Sequence, residues 1–375
     1  MRILLHLVSG QNLPNYIASK IIGADQELFF FTKGSSFSLK ILKYVITRHI
    51  DSIEIPAWNY EQIYGTVLEV IKKFTVDELV LNFTGGNKIM SQAAFSAFAY
   101  CKKDCIYINS ENDEYIYFMH SSGNLKVEKN VINVTARIAD YIKLNGQNVE
   151  FESNIFTNAQ KNLATLLQKD FKYYASKILS SSSRYRKNSF LDATVTEGKL
   201  KGSFIKYNDE GTSIKFVLNG KETYYAKENG DNLLQFCFGK WFEYSCFNAI
   251  EAASVFDELQ LNCRIQKNSR REEYLFSDKN ELDILAIKGI YPAVFECKSG
   301  GIKSEHVDKL VALKQTYLGR YSSVFFITYF PLNDHDEFHL MLKEKMNDNK
   351  IIHITYKDLN KNKLLSYLIK KENLR

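Results

Sequence analysis

The sequence predicts an α/β protein with two domains, and three observations support this prediction. The chain has 375 residues, which exceeds the usual size of a single domain. Apolar strand-like runs alternate with helical segments over residues 2–120, and a second group of strands and helices follows a polar stretch near residue 150. We therefore predict domains at residues 1–145 and 161–375, joined by a linker at residues 146–160.

The predicted elements of the N-terminal domain alternate along the chain. The predicted strands are the apolar runs RILLHLV, ELFFFT, SIEIPA, ELVLNF, DCIYIN and EYIYFMH. The predicted helices, in which apolar residues recur at spacings of three and four, are NYIASKIIG, SFSLKILKYVITRH, YEQIYGTVLEVIKKF and KIMSQAAFSAFAYCKK. Such alternation predicts a mainly parallel sheet with helices on both faces.

Two polar loops follow the first and fourth strands, VSGQNLPN at residues 8–15 and FTGGNK at residues 83–88. Ligands of parallel α/β sheets bind beyond the carboxyl ends of the strands, where both loops lie. Gly85, Gly86 and Asn87 form either a plain turn in which Asn87 caps the next helix, or a cradle for an anion. FTGGNK matches neither the P-loop nor the dinucleotide pattern, which disfavours an ATPase or an NAD enzyme.

The second half of the chain begins with mainly helical sequence over residues 131–180, followed by a basic loop at residues 180–189. The segments KLKGSFIKYND, TSIKFVLNG and KETYYAKE predict a small antiparallel meander. A long, buried helix follows Asp231, and NELDILAIKGIYPAVFECKSG predicts two strands joined by a tight turn at Gly289. A helix ending at Gly319, the strand YSSVFFITYF and a Lys-rich helical end complete the chain.

Composition excludes several classes of protein. The formal net charge of +6 and pI near 8.7 modestly favour a polyanionic partner. Six cysteines without a C-x-x-C pair suggest neither a zinc ribbon nor a disulfide framework. No segment approaches the roughly 20 apolar residues of a membrane span, and MRILLHLVSG does not resemble a secretory signal. We expect a cytoplasmic protein without membrane association.

Asp283, Glu296 and Lys298 are the candidate catalytic residues. If Gly289 and Ile290 form a two-residue turn, counting outward places Asp283 across from Glu296, and Lys298 projects from the same face. Opposed carboxylates among core-forming residues repel each other, and a divalent cation such as Mg²⁺ or Mn²⁺ would resolve the conflict. The alternative is a surface salt bridge between Lys298 and a neighbouring glutamate.

Glu243 favours the metal interpretation, because an acid among the aromatic residues of GKWFEYSCF is costly to bury unless it is paired or bound to metal. The alternative is that this helix exposes one polar stripe to solvent. A bound ion would lower the pKa of a water molecule and stabilise charge on a phosphodiester. Lys298 would then orient or deprotonate the water, or offset charge on the phosphate.

The order of these residues resembles the PD-(D/E)xK endonuclease core: an acidic helix residue, an Asp on one strand, Glu-x-Lys on the next strand, and then a helix. Asp283, Glu296 and Lys298 occupy the motif positions, although ELD replaces the usual Pro-Asp step. The resemblance implies a restriction-endonuclease-like α/β domain in which Glu243 supports the metal site. It also implies cleavage of DNA and RNA with low sequence specificity and a preference for single strands.

The N-terminal half, through SGQNLPN and NFTGGNKIM, resembles a CARF domain, the Rossmann-like sensor of CRISPR systems that binds cyclic oligoadenylates. The two halves together are similar to type III CRISPR ancillary nucleases of antiviral defence that cyclic tetra-adenylate activates. The resemblance implies a homodimer, since a ring of repeating units fits two identical half-sites, with a hinge near residues 145–160. The implied ligand contacts are Ser9, Gly10, Gln11, Asn12, Thr84, Gly85, Gly86, Asn87 and Lys88.

Three further residues are candidates for substrate binding. Gln315 lies on the helix after the Glu-x-Lys strand, and Arg270 and Arg271 lie in a basic loop before the two strands of the motif. Simple exposure to solvent is an equal alternative for each. Two other functions stay open: a noncatalytic cyclic-nucleotide-responsive binding protein, and an enzyme that degrades the cyclic oligoadenylate itself.

Overall fold

A computed structural model describes residues 1–121, 124–152, 155–174, 191–267, 280–318 and 322–369. The basic run at residues 180–189 and the predicted helix end at Gly319 lie outside these ranges. None of the described helices is long and apolar enough to cross a membrane.

The N-terminal sheet has seven strands in the order β3-β2-β1-β4-β5-β6-β7. The strands are β1 Arg2–Leu7, β2 Gln26–Phe31, β3 His49–Glu54, β4 Glu78–Asn82, β5 Asp104–Asn109, β6 Glu114–Ser121 and β7 Asn124–Val131. Strands β1 to β5 run parallel, while β6 and β7 are antiparallel additions at one edge. The prediction of a mainly parallel α/β sheet is confirmed, and β7 is an additional strand.

The helices of this sheet are α1 Leu13–Ile22, α2 Ser36–Val45, α3 Tyr60–Lys73 and α4 Lys88–Tyr100. Strand β1 is buried over its last five residues, as expected for a parallel strand covered on both faces. Helix α3 shows the typical amphipathic pattern: Ile63, Val67 and Val70 face the core, and the Asn59 side chain accepts a hydrogen bond from the Gln62 N–H at its start.

The rest of the chain forms two further sheets. Its strands are β8 Gln147–Phe151, β9 Leu191–Thr194, β10 Phe204–Asn208, β11 Gly211–Leu218, β12 Lys221–Glu228, β13 Glu258–Lys267, β14 Asn280–Lys288, β15 Tyr291–Lys298, β16 Ser323–Thr328 and β17 Ile351–Thr355. Strands β9 to β12 are the predicted meander, a four-stranded antiparallel sheet. The C-terminal sheet has the order β17-β16-β15-β14-β13-β8, with β15, β16 and β17 parallel.

The accompanying helices are α5 Ile138–Leu144, α6 Asn158–Tyr174, α7 Trp241–Ala253, α8 Ser304–Leu313, α9 Glu337–Asp348 and α10 Lys361–Ile369. A short helical turn, Asn232–Gln235, and a π-helical segment, Phe236–Lys240, lead into α7 without a break in the helical backbone, so the predicted long helix after Asp231 forms with a π-helical segment inside it. A second π-helical segment, Lys314–Leu318, follows α8.

Strand β8 lies inside the linker predicted at residues 146–160. Residues 147–151 pair antiparallel with β13, with Phe151 opposite Cys263 and Gln147 opposite Lys267. They form an edge strand of the C-terminal sheet, so the chain enters this sheet directly after α5. The segment QNVEF has mixed polarity and only five residues, too few for a periodic signal.

One apolar cluster joins the N-terminal and C-terminal sheets, and we call it the shared cluster. Its members come from the loop, helices and strand on one side of the N-terminal sheet, from α5, and from one face of the C-terminal sheet with α8 and α9. Its buried residues include Val8, Tyr16, Phe29, Leu39, Leu42, Ile46, Ile138, Tyr141, Ile142, Leu144, Leu282, Leu285, Ile287, Val294, Val307, Leu310, Phe326, Leu342 and Met346. Continuous burial of this kind makes the two sheets one packed unit.

Candidate functional site

The predicted hairpin forms with the predicted register. Lys288 pairs with Tyr291 across the Gly289–Ile290 turn, and Gly289 has the positive φ of 58° that such a turn requires. Backbone pairing continues to Ile284 and Phe295. Beyond that pair, the Asp283 side chain links the two strands, since its Oδ2 accepts a hydrogen bond from the Cys297 N–H at 2.7 Å.

Asp283, Glu296 and Lys298 therefore converge at the open end of the hairpin. Lys298 Nζ lies 2.6 Å from Glu296 Oε1 and 3.7 Å from Asp283 Oδ2. Both acids are buried, with 7% of Asp283 and 2% of Glu296 exposed. Lys309 on α8 also donates to Glu296 Oε2, at 3.2 Å. We call these four residues the acid–lysine cluster.

The protonation of the cluster follows from burial and from like charge. Burial and the charge of Glu296 raise the pKa of Asp283 to about 6. Burial acts to lower the pKa of Lys298, but the charges of Asp283 and Glu296 outweigh it, so this pKa is raised and the amine stays protonated at neutral pH. At neutral pH the cluster thus holds Asp283 largely ionised beside a fixed ammonium group.

Glu243 lies on the first turn of α7 and is only partly buried. Burial and the charge of Asp283 raise its pKa to about 8. However, within the described ranges no group of three or more His, Cys, Asp or Glu side chains is arranged to hold a metal ion. The structure therefore does not bring Glu243, Asp283 and Glu296 together as one three-carboxylate ligand set.

The chemistry of the two remaining acids suits a hard divalent cation. Mg²⁺ and Mn²⁺ take oxygen ligands and are commonly held by one or two protein carboxylates together with waters and substrate oxygens. Asp283 and Glu296 place two such groups on one face, and their mutual repulsion raises the pKa of Asp283. A cation between them would remove that conflict.

Of the three predicted substrate contacts, Gln315 lies within the described residues. Gln315 is exposed in the segment Lys314–Leu318 that follows α8. Arg270 and Arg271 lie outside the described residues. His306 is at the start of α8, where its Nδ1 accepts a hydrogen bond from the Lys303 N–H at 3.2 Å.

The two predicted ligand loops lie side by side, because β1 and β4 are adjacent parallel strands. Gly85 lies against β1 so closely that an added Cβ would be 2.0 Å from the Leu7 carbonyl oxygen. Asn87 caps α4, accepting from the Met90 N–H at 2.9 Å, and its Nδ2 donates to the Ala57 carbonyl at 2.6 Å. Close packing and helix capping thus account for Gly85 and Asn87.

The remaining loop residues divide into inward-facing and exposed groups. The Thr84 hydroxyl accepts from the Ile108 N–H and donates to Asn82 Oδ1, both at 2.7 Å. Asn12 is buried, and its Nδ2 donates to the Leu144 carbonyl at 2.9 Å, which links this loop to the end of α5. Gly10, Gln11 and Lys88 are exposed, while Ser9 and Gly86 are partly buried.

Trp58 is a residue of this region that sequence reasoning missed. It is 78% exposed and directly follows Ala57, whose carbonyl oxygen accepts the hydrogen bond from Asn87. An exposed tryptophan beside a predicted nucleotide-binding loop was the available signal, since aromatic rings stack on bases.

A buried polar network under the loops was also missed. His6 Nε2 lies 2.8 Å from Glu27 Oε2, and Glu27 Oε1 accepts hydrogen bonds from Ser19 Oγ at 2.6 Å and Arg48 Nη2 at 3.3 Å. Burial acts to raise the pKa of Glu27, but these partners outweigh it, and the pKa is lowered. A histidine within RILLHLV and a glutamate opening ELFFF were the available signals.

Comparison with known proteins identifies a domain family for the N-terminal part. Residues 3–141 match the family model described as the Card1 CARF domain. No curated protein matches the sequence.

Solved structures of similar fold cover the whole chain. Can2 from Sulfobacillus thermosulfidooxidans, solved in complex with cyclic tetra-adenylate, has a TM-score of 0.69 and 19% identity, and the alignment covers 100% of both chains. Protein VC1899 from Vibrio cholerae has a TM-score of 0.71 and 16% identity, covering 99% of this chain and 98% of that one.

A type III CRISPR defence DNA nuclease activated by cyclic oligoadenylate has a TM-score of 0.57 and 12% identity; the alignment covers 87% of this chain and 45% of that chain. At these identities the structural likenesses establish the fold. The chain thus has an N-terminal region similar to the Card1 CARF domain, within an overall fold similar to that of Can2.

Proposed function

We propose that this chain is a metal-dependent endonuclease that cyclic tetra-adenylate activates, and that it cleaves DNA and RNA in type III CRISPR defence. The observation that carries the proposal is the acid–lysine cluster, where Lys298 Nζ lies between Asp283 and Glu296. The match of residues 3–141 to a CARF domain supports the activator, as do the folds of Can2 bound to cyclic tetra-adenylate and of a nuclease activated by cyclic oligoadenylate.

Asp283 and Glu296 would hold the divalent cation, Mn²⁺ or Mg²⁺. When bound, such an ion lowers the pKa of a water molecule and stabilises negative charge on the phosphodiester. Glu243, whose pKa is about 8, carries a proton at neutral pH and supports the site from α7. Its role is secondary to that of the two acids on the hairpin.

Lys298 would act on the attacking water or on the scissile phosphate. Because the two acids raise its pKa, its amine carries a proton at neutral pH in the metal-free protein, a state suited to orienting the attacking water. It would orient that water or donate to the scissile phosphate, where a fixed positive charge stabilises the charge developing in the transition state. Lys309 forms an ion pair with Glu296 and holds that side chain in place.

The activator would bind over the two loops of the N-terminal sheet. Gly10, Gln11 and Lys88 present exposed backbone and side-chain groups for ribose and phosphate, and Trp58 offers a face on which an adenine can stack. A two-fold homodimer would supply two equivalent half-sites for a ring of four nucleotides. Replacing Trp58 with alanine should weaken binding of cyclic tetra-adenylate about tenfold in calorimetry.

The experiment that tests the proposal is a cleavage assay on labelled single-stranded and duplex DNA and RNA with Mn²⁺. The protein is assayed alone and with cyclic oligoadenylates of three, four and six nucleotides. We expect cleavage only when both the metal and the cyclic oligoadenylate of four nucleotides are present. Absence of cleavage on every substrate with every ring would contradict the proposal.

One observation favours a noncatalytic binding protein as the second candidate. Lys298 and Lys309 both contact Glu296, so the cluster already carries as many ammonium groups as hairpin acids. Titration with Mn²⁺ distinguishes the two functions, because a catalytic site binds the ion and a purely structural ion-pair cluster does not.

A further inference from the structure

The β14–β15 hairpin extends from the acid–lysine cluster to the N-terminal sheet. Its open end holds Asp283 and Glu296, and its turn is formed by Gly289 and Ile290. With about 3.3 Å per residue along a strand, the turn lies roughly 20 Å from Asp283. The hairpin therefore reaches from the acid–lysine cluster to the N-terminal sheet, which carries the two predicted ligand loops.

One residue of the turn, Ile290, is buried against the N-terminal sheet. Ile290 is 1% exposed and belongs to an apolar cluster with Leu4 of β1, Ile17 of α1, and Val80 of β4. Helix α1 begins directly after the loop Ser9–Asn12. A shift of α1 on ligand binding would thus displace the side chains that surround Ile290.

Hydrogen bonds fix the turn on both sides. The Tyr291 hydroxyl donates to the Ser110 carbonyl at 2.8 Å, at the end of β5, and it also contacts Asp113. The Gly289 carbonyl accepts from the Ala136 N–H at 2.8 Å. On the C-terminal side, Asp257 accepts from the Gly289 N–H at 2.7 Å. The turn is therefore held between two parts of the fold.

Strand pairing makes the hairpin a stiff connection. Backbone pairs run without a bulge from Lys288 and Tyr291 to Ile284 and Phe295, and the Asp283 carboxylate continues the connection by accepting from the Cys297 N–H. Movement of the turn therefore moves Asp283 and Glu296 together relative to Lys309 on α8, which contacts Glu296, since packed elements move as units.

We propose that this hairpin couples ligand occupancy at the N-terminal loops to the geometry of Asp283 and Glu296, with Ile290 and Tyr291 as its positioning residues. The inference rests on the proposed function, and it places regulation in the packed hairpin instead of a hinge at residues 145–160. Coupling of this kind is reciprocal, so metal at the cluster also changes the affinity for the ligand.

The test compares Tyr291→Phe and Ile290→Ala with a matched control. Tyr224→Phe also removes one tyrosine hydroxyl, which donates to the Ala159 carbonyl at 2.9 Å between the meander and α6, away from the N-terminal sheet. Calorimetry measures binding of cyclic tetra-adenylate, and hydrogen–deuterium exchange measures protection of residues 281–298 with and without that ligand.

We expect the ligand to change amide exchange in the hairpin of the unmodified protein and of Tyr224→Phe. In Tyr291→Phe and Ile290→Ala, binding stays within about threefold, while activated cleavage falls about tenfold and the change in exchange is lost. The conservative change Ile290→Val should retain both the activated cleavage and the change in amide exchange. If Ile290→Ala fails to fold, Tyr291→Phe carries the test.

Two results would overturn the inference: a hairpin whose exchange ignores the bound ligand, or full activation of Tyr291→Phe and Ile290→Ala. Failure of the proposed function gives a different result. A protein that binds the ligand and changes hairpin exchange, yet cleaves no nucleic acid, retains the coupling and loses only the nuclease assignment.

Discussion

Two buried carboxylates, one in the N-terminal sheet and one in the C-terminal sheet, have different electrostatic environments. Glu27 in the N-terminal sheet accepts hydrogen bonds from Ser19 and Arg48 and pairs with His6, and its pKa is lowered. Asp283 in the C-terminal sheet faces the charge of Glu296, and its pKa is raised to about 6. A buried acid matched by donors stabilises the fold, whereas a buried acid opposed by another acid indicates a functional site.

The largest expected effect is a loss of cleavage when the positive charge beside the C-terminal carboxylate is removed. Replacing Lys298 with alanine should lower the rate of activated cleavage roughly 100- to 1,000-fold, because the fixed charge beside the two acids is lost. Single-turnover cleavage with saturating cyclic tetra-adenylate and Mn²⁺ measures it. Lys303→Ala is the matched control, since Lys303 is exposed and lies 3.1 Å from the equally exposed Glu305 in a surface ion pair. Equal rates for both variants would remove Lys298 from the mechanism.

The same comparison predicts a loss of stability at the N-terminal carboxylate. Glu27→Gln should lower the free energy of unfolding by about 1–3 kcal/mol, because the new amide N–H₂ faces donors that the carboxylate accepted from. Cleavage at saturating ligand should persist. Glu78→Gln, which removes an exposed pair with Arg2, should cost at most about 1 kcal/mol in the same denaturation experiment. A smaller loss for Glu27→Gln than for Glu78→Gln would contradict the stabilising role.

Metal binding is expected to depend on the C-terminal carboxylate. Asp283→Asn keeps an oxygen to accept from the Cys297 N–H but loses a charged ligand, so the affinity for Mn²⁺ should fall about tenfold or more. Calorimetric titration measures this change. Glu27→Gln serves as the control and should bind Mn²⁺ as the unmodified protein does; a similar loss there would show that the titration reports stability.

The two halves of the chain also differ in how an acid makes stability depend on pH. Glu243 ionises at about pH 8 in the folded protein and near pH 4.5 when unfolded, so the folded state holds its proton longer. Its contribution to stability is complete below about pH 4.5 and declines as the pH rises to 8. Glu27, with a lowered pKa, contributes above its unfolded pKa and loses that contribution on acidification.

Glu243→Gln should therefore gain stability relative to the unmodified protein as the pH rises from 5 to 8, without added metal. Chemical denaturation across this range measures the trend. Glu251→Gln, an exposed change on the same helix α7, should show no trend. A difference between Glu243→Gln and the unmodified protein that stays flat with pH would mean that Glu243 is not protonated in the folded state.

The sequence predicted the hairpin site well because its geometry is local. A two-residue turn and the alternation of side chains fix which residues share a face, and the structure places Asp283, Glu296 and Lys298 together. The partners of Glu27 come from α1 and from the segment before β3, so they depend on packing that no single stretch encodes. Gly85 illustrates the same limit, since a side chain is excluded there by the nearby Leu7 carbonyl of another strand.

Strand β8 escaped prediction for a different reason. Only Gln147 of its five residues is buried, so neither alternation nor an apolar run identifies it, and pairing with β13 determines its conformation. The cap formed by Asn87, in contrast, depends on a contact three residues along the chain, and it was one of the two alternatives that the sequence left open. Local contacts were predictable, and long-range pairing was not.

The shared cluster restricts how this chain can be recombined with related proteins. A chimera that takes its first 145 residues from one relative and the remainder from another would have to match both surfaces around Tyr16, Phe29, Leu285 and Val294. Mismatched side chains there would leave voids or clashes in a continuous apolar layer. Packing against the C-terminal sheet therefore constrains evolutionary exchange of the N-terminal half. A new ligand specificity is easier to introduce by changing the surface loops than by replacing the whole domain.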